Sequence, residues 1–369
     1  MKKLVLSTLL IVLVLLGMAN CNGNTSKDSI TSQKNPTQLL NTCKQGKEKA
    51  CTDLGLLYLN GKGVKQNYQK AKKLFTQSCT NKYFPACHLL AGLYKNGWGV
   101  RKDMLKAKRN YDIACNAQYG MACNMLGKLY ERGEGVEKNT IKAKKFYNKA
   151  MKYQLSACDS NKAMDCNVLG DTYLRGLYTI KKDSKKALYF YTKSCNLDFG
   201  LGCFSLGNYY SGNTMDKDIK QNISLAIKYF SKSCNLGFTY SCSEVGELYA
   251  LGEKVEQDIP KAIQYLSKGC ENNSGRCFYL GNMYASGIGV KQNLDKAMNY
   301  FKKDCDRGFI KGCEMLAKRY KLGWGVNQDI AKAKMYYEKL CKTGYMQNAC
   351  SSLEELNNLE ELNNKLKRK

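Results

Sequence analysis

The sequence predicts an all-α fold, an α/α solenoid of stacked antiparallel helix pairs. Three observations carry that reading. Eighteen of the 19 cysteines fall into nine close couples, seven of them eight residues apart, one seven and one nine. Successive couples recur mostly every 35 to 37 residues, a period of stacked helical repeats rather than of two or three globular domains. After the second Cys of eight couples, Leu or Val, a small residue and Tyr stand three, four and seven residues on. That spacing is one face of a helix. Composition agrees: 369 residues, 44% apolar and 24% charged, outside the range of disordered chains.

Lys2 and Lys3 open the chain, an apolar run spans Leu4 to Leu16, and Gly17 and Ala19 follow. The run is shorter than the roughly 20 residues a membrane span needs, so 1–20 reads as a secretory signal peptide. Two cleavages fit. A cut after Ala19 leaves Asn20 as the first residue. Met18-Ala19-Asn20-Cys21 instead resembles a bacterial lipobox, which makes Cys21 a lipidated first residue. Setting Cys21 aside leaves 18 cysteines able to pair, which favours the lipoprotein. The expected location is outside the cytoplasm, secreted or periplasmic, free or anchored through Cys21. Residues 21–41 are polar and carry no repeat, so they read as a linker.

The repeats run over 42–350. The couples are Cys43 with Cys51, Cys79 with Cys87, Cys115 with Cys123, Cys158 with Cys166, Cys195 with Cys203, Cys234 with Cys242, Cys270 with Cys277, Cys305 with Cys313 and Cys341 with Cys350. The helix after each couple, here the A helix, carries the frame seen in Leu54-Gly55-Leu56-Leu57-Tyr58 and Leu126-Gly127 with Tyr130. A glycine turn follows, as in Asn60-Gly61-Lys62-Gly63-Val64, whose glycines suit a tight helix exit. The next helix, B, carries Ala and, four residues on, an aromatic residue: Ala71 with Phe75, Ala107 with Tyr111, Ala143 with Tyr147 and onward, with Leu266 in the aromatic place after Ala262. The first Cys of the next couple lies eight residues after that Ala, except after Ala143, where Cys158 comes fifteen later. Those seven extra residues extend the helix or bulge the loop. Residues 351–369 read as a capping helix, with acids early and bases late to suit the helix dipole.

The pattern resembles the Sel1-like repeat family and, within it, the Helicobacter cysteine-rich proteins. It does so through Leu-Gly-x-x-Tyr, Gly-x-Gly-Val, Lys-Ala-x-x-x-aromatic and Cys-x7-Cys, each repeated over about 43–350. The resemblance implies a right-handed superhelix with A helices on the concave face and B helices outside. A loop of about seven residues joining one helix to the next can bring the two Cα atoms of a couple within disulfide range. All nine couples are therefore expected to be bridged internally. Zinc ligation is the other use of such cysteines, but seven residues between partners is much wider than a zinc knuckle.

Charge separates the two helix types. Ten-residue windows around the eight B-helix alanines hold 23 bases and four acids, whereas nine-residue windows on the A helices hold seven and six. The B face is thus expected to attract acidic surfaces, through lysines such as Lys70, Lys73, Lys106, Lys142, Lys145 and Lys186, and weak binding of cell-wall-like ligands is a separate expectation tied to the β-lactam alternative. Specific nucleic-acid binding is not expected of an exported protein. The repeat also resembles the tetratricopeptide repeat. Its inward positions, carried over, include His88, Asn96, Asn124, Lys128, Asn167, Asp171, Arg175, Asn208 and Asn282. Asparagine both donates and accepts, which suits an extended peptide backbone. A protein or peptide ligand on this face is the leading expectation.

Enzymatic signals are thin. His88 is the lone histidine, so no multi-His metal site can be built, and no cofactor is expected. Some cysteine-rich relatives are regarded as β-lactamases or penicillin-interactive proteins, which makes β-lactam hydrolysis the alternative reading. No Ser has Lys three residues later, Ser-Asp-Asn is absent, and Lys342-Thr343-Gly344 stands alone inside an inter-cysteine loop. The reading therefore leans away from an enzyme.

Overall fold

A computed structural model describes residues 35–367, apart from 62, 178–179, 213–218, 272–275 and 343–346. The expected signal peptide over 1–20, and Cys21 after it, lie outside the described residues. Eighteen α-helices and no strand occur among the described residues. They divide between two compact units, one up to Lys220 and one from Gln221 onward.

In the first unit, α1 (Pro36–Lys44) precedes four A/B pairs. These are α2 (Glu48–Asn60) with α3 (Tyr68–Thr80), α4 (Phe84–Asn96) with α5 (Met104–Asn116), α6 (Gly120–Arg132) with α7 (Thr140–Asp159), and α8 (Ala163–Arg175) with α9 (Ser184–Asn196). Helix α10 (Gly200–Ser211) completes it. In the second unit, α11 (Ile223–Asn235) is a B helix. The pairs α12 (Thr239–Leu251) with α13 (Ile259–Glu271), α14 (Cys277–Ser286) with α15 (Leu294–Asp306), and α16 (Ile310–Leu322) with α17 (Ile330–Cys341) follow. The last helix is α18 (Gln347–Lys367). Within each unit, successive helices pack side by side, as an α/α solenoid requires.

Local chemistry sets the helix ends. Each B helix after α1 starts from an Asn or Asp four residues before its Ala: Asn67, Asp103, Asn139 and Asp183, then Asn222, Asp258, Asn293 and Asp329. Each side-chain oxygen accepts the backbone N–H three residues on, at 2.8–3.0 Å. Such a cap contributes about 1 kcal/mol. A helices exit through a left-handed glycine, as at Gly61 with φ 67°. The second glycine of the turn serves close approach: a Cβ on Gly99 would collide with Tyr68 at the start of α3.

The repeated frame is the core. Leu54, Leu90, Leu126, Leu169 and Leu206 are buried, as are Ala71, Ala107, Ala143 and Ala187. The small residue after Leu receives the ring of the paired B helix. A Cβ on Gly55 would lie 2.6 Å from Phe75, and Gly127, Gly170 and Gly281 would meet Tyr147, Tyr191 and Phe301 in the same way. The frame tyrosine stacks on the B helix, for example Tyr130 on Phe146 with ring centres 5.5 Å apart. A lysine of the same B helix lies over it. Lys70, Lys106, Lys142 and Lys186 stand 5.0–5.6 Å from the rings of Tyr58, Tyr94, Tyr130 and Tyr173. Four of the six lysines expected to serve an acidic surface thus have a packing role within the fold.

All nine couples are bridged internally. In the first unit Cys43 is joined to Cys51, Cys79 to Cys87, Cys115 to Cys123, Cys158 to Cys166 and Cys195 to Cys203. In the second, Cys234 is joined to Cys242, Cys270 to Cys277, Cys305 to Cys313 and Cys341 to Cys350. The paired Cα atoms lie 4.5–5.0 Å apart. The second cysteine of each couple belongs to the start of an A helix. There Cys51, Cys87, Cys123, Cys203, Cys242 and Cys313 are buried with the Leu frame, whereas Cys350, on the terminal helix, is only half-buried. These cysteines are therefore structural staples between successive helices. The seven residues inserted after Ala143 lengthen α7 to 20 residues. Seven residues make nearly two helical turns, so Cys158 keeps the face that Met151 would have given it.

One departure from expectation and one local support stand out. The segment read as linker over 21–41 turns helical at Pro36, because Asn35 caps Thr37 at 2.9 Å and proline is favoured in the first turn. The short couple of Cys270 and Cys277 is supported from the next B helix. Asp304 accepts the Phe278 N–H at 2.9 Å and Arg307 donates to the Cys270 carbonyl at 3.0 Å.

Candidate functional site

Each A helix places one residue directly after the second Cys of its couple, so the bridge fixes the position of that residue. In the first unit these residues are Thr52, His88, Asn124, Asn167 and Phe204. His88, Asn124 and Asn167 are 8%, 7% and 3% exposed. His88 Nδ1, Asn124 Oδ1 and Asn167 Oδ1 have no hydrogen-bond partner among the described residues. Three consecutive A helices, α4, α6 and α8, thus carry buried, unpaired polar atoms at one register. Few buried polar atoms are left so in folded proteins.

Charge gathers one and two turns further along. Lys128, one turn after Asn124, is half-buried and makes no ion pair or hydrogen bond with any described residue. Burial holds its pKa down, as do the neighbouring cations Arg132, Lys95 and Arg175, against a smaller upward pull from Glu131. Lys95 and Arg132 share Glu134, at 3.3 and 3.4 Å. His88 sits between Tyr111 and Tyr119, with ring centres 5.4 and 5.5 Å away. Burial, and then Lys128, lower its pKa to about 4, so its imidazole is neutral near pH 7. This part of the A face is a cationic, partly desolvated surface lined by neutral hydrogen-bonding groups.

The remaining expected residues divide. Arg175 is exposed at the end of α8, within electrostatic reach of Lys128. Asp171 faces the helix pair instead: its Oδ1 accepts the Tyr191 hydroxyl at 2.7 Å, and burial pushes its pKa up. Asn96 is exposed at the end of α4, and Asn208 is half-buried on α10. Asn282 is exposed on α14, in the other unit. In that unit the register of Lys128 carries Glu247, paired with Arg276 at 2.7 Å. Sequence reasoning passed over Gly92, Lys95 and Arg132. The signal for Gly92 was present, since Ala91-Gly92 holds two small residues where the frame needs one.

Among the described residues no group of three or more His, Cys, Asp or Glu is placed to hold a metal ion. No described helix is long and apolar enough to cross a membrane. The β-lactamase alternative gains no support: Thr343 and Gly344 lie outside the described residues, and the A-face residues named above include no serine.

Comparison with known proteins gives a consistent picture. The family model described as Sel1 repeat matches eight segments, 48–83, 85–119, 120–151, 163–199, 200–238, 239–274, 277–309 and 310–345. No curated protein matches the chain. Among solved structures, a protective antigen of uropathogenic Escherichia coli displaying an SLR fold is 25% identical, with TM-score 0.50. The match covers 86% of this chain and 66% of that one, so the chain spans just under two thirds of that protein. A Sel1 repeat protein from Oxalobacter formigenes is 21% identical, with TM-score 0.55, over 90% of this chain and 98% of the other. Helicobacter pylori cysteine rich protein B is 35% identical over 37% of this chain and 98% of its own, with TM-score 0.30.

Proposed function

Since the chain belongs to the Sel1 repeat family, we propose that it is an exported binding module that holds an extended segment of a protein partner along the A-helix face of its first unit. Repeats of this family serve protein–protein interaction. Nine internal disulfides suit an oxidising compartment outside the cytoplasm, in line with the signal peptide read from residues 1–20. Attachment through Cys21 is part of the same reading, and the intact mass of the mature protein tests it against a free Asn20 terminus.

The observation that carries the proposal is the pair of buried amide oxygens, Asn124 Oδ1 and Asn167 Oδ1, left unpaired at one register of two successive A helices. An unpaired buried acceptor costs about 1–3 kcal/mol, and rotation of the Asn side chain toward the surface would let a backbone N–H from an extended ligand relieve it. A single extended ligand strand crossing α6 and α8 would meet the two amides in turn.

The test is capture of envelope proteins by the oxidised chain and by the double variant Asn124→Ala, Asn167→Ala. Two neutral hydrogen bonds contribute about 1 kcal/mol each, so affinity for the captured partner should fall about tenfold or more. The variant should melt no lower than the parent, because it removes unpaired groups. Equal affinity of parent and variant for the same partner would overturn the proposal.

A further inference from the structure

Five large apolar side chains are exposed among the described residues of the first unit, and four of them stand on three successive B helices. They are Leu105 and Ile113 on α5, Ile141 on α7 and Tyr189 on α9, with Leu105 66% and Ile141 82% exposed. Single exposed aliphatic residues are ordinary, but these belong to one face. Leu105, Arg109 and Ile113 follow at steps of four along α5, Ile141, Lys145 and Lys152 at four and seven along α7, and Lys185 and Tyr189 at four along α9. Such steps keep side chains on one side of a helix. A shallow depression lined by Leu105, Arg109, Val136, Glu137 and Lys142 joins the first turns of α5 and α7, and Lys193 of α9 reaches Asp159 at the end of α7. Leu105 and Ile141 stand second in their helices, where α3 has Gln69 and α9 has Lys185. The repeat therefore does not require an apolar residue there.

The charge among these residues is of one sign. Helices α5, α7 and α9 hold eleven bases and two acids. Both acids are already paired, Asp112 with Lys108 at 2.6 Å and Asp159 with Lys193 at 3.1 Å. Lys106, Lys142 and Lys186 lie over the frame tyrosines of their own repeats. Arg109, Lys144, Lys145, Lys152 and Lys185 remain, all exposed and without an ion pair to any described residue. This face thus combines unpaired positive charge with aliphatic and aromatic side chains that the fold leaves in water.

An acidic protein and an anionic bilayer both match that charge, and the apolar side chains decide between them. A protein interface gathers its apolar residues into a core depleted of lysine, with charge at the rim. Here basic and apolar residues alternate along each helix. A bilayer surface suits such a mixture. Aliphatic tips enter the headgroup layer, an aromatic ring sits at headgroup level, and lysine stems lie along the apolar side chains with their ammonium groups at the phosphates. We propose that the B-helix face of α5, α7 and α9 docks the protein on an anionic phospholipid bilayer. Leu105, Ile113, Ile141 and Tyr189 enter the headgroup layer, and the lysines beside them, with Arg109, meet lipid phosphates. This surface is separate from the A-helix face, and the inference does not rest on the groove reading above.

The experiment uses the full oxidised chain carrying Cys21→Ser, so that no acyl group contributes. It is co-sedimented with vesicles of phosphatidylcholine alone, or of phosphatidylcholine with about one third phosphatidylglycerol, at roughly physiological ionic strength. Binding should occur on the anionic vesicles and not on the neutral ones. The double variant Leu105→Ser, Ile141→Ser should weaken it about tenfold or more. Lys145→Gln with Lys152→Gln should do the same, since one lysine near an anionic surface contributes about fivefold. Ile288→Ser, at an exposed position of the second unit, should bind as the parent does. All three variants should melt with the parent, because no substituted side chain is buried. Equal binding to both kinds of vesicle, or to neither, overturns the proposal. Loss in the lysine variant with undiminished binding in the Leu105 and Ile141 variant overturns it too; the same pattern on polyglutamate then assigns an acidic macromolecule in solution as the partner. Capture through Asn124 and Asn167 is measured separately, so either reading can fail while the other stands.

Discussion

Asp165 stands directly before Cys166, where neighbouring repeats carry Ala50, Ala86 and Ala122. It is 8% exposed, and burial raises its pKa to about 6, against a downward pull from Lys162. The folded value lies above the unfolded one of roughly 3.9, so the folded chain binds this proton more tightly than the unfolded chain does. The resulting stabilisation is fully present below about pH 4 and is lost as pH rises through about 6. Asp165→Asn should therefore be more stable than the parent at pH 7, by on the order of 2 kcal/mol, and no more stable at pH 3.5. Denaturant melts across that range check it; a difference that stays constant from pH 4 to 8 would sink the assignment. The sequence showed Asp165 only as one more residue between two cysteines. Its burial follows from the bridge beside it, which draws the start of α8 against the end of α7.

At the scale of the helix, two glycines of one sequence class have opposite roles. A Cβ on Gly127 would run into the ring of Tyr147, whereas a Cβ on Gly92 reaches open space. Gly127→Ala should therefore destabilise the α6/α7 pair, since the ring cannot retreat without disturbing a packed core. Gly92→Ala should raise stability by about 0.5–1 kcal/mol through the unfolded chain. Thermal melts of the two variants decide this, and a destabilised Gly92→Ala would mean that the fold itself needs this glycine. The frame around Gly127 was legible because packing repeats: Leu, small residue and Tyr recur wherever a B-helix ring must be received. Gly92 was not singled out, because a residue outside the repeated frame leaves no period in the chain. The cap column from Asn67 to Asp329 did repeat, four residues before each Ala, yet polar residues draw less attention than an apolar stripe. Helix α1 was hidden for a related reason. It has a cap and Pro36, but no preceding repeat to lend it a period.

Over each unit as a whole, stability is a sum of local parts. Contacts within a unit join each helix mainly to its immediate neighbours, so each bridge acts on one junction. Closing a loop of about nine residues stabilises by roughly 2–3 kcal/mol in the chain-entropy model. The first unit offers a clean case in the bridge of Cys115 with Cys123, between α5 and α6, with Cα atoms 4.8 Å apart. Replacing both cysteines by serine should lower the protection of amides in α5 and α6 against hydrogen exchange by one to two orders of magnitude, about the same free energy. Amides in α1 and α2, beyond the neighbouring bridge of Cys79 with Cys87, should keep their protection. The couples were legible because a short spacing and a long period run together through the whole repeat region. The locality of their effect follows from architecture: a globular core would spread the loss through every helix, whereas a stack confines it to the junction and its nearest neighbours. Uniform loss of protection from α1 to α10 would show that the first unit unfolds as one cooperative body, with its bridges acting in common rather than junction by junction.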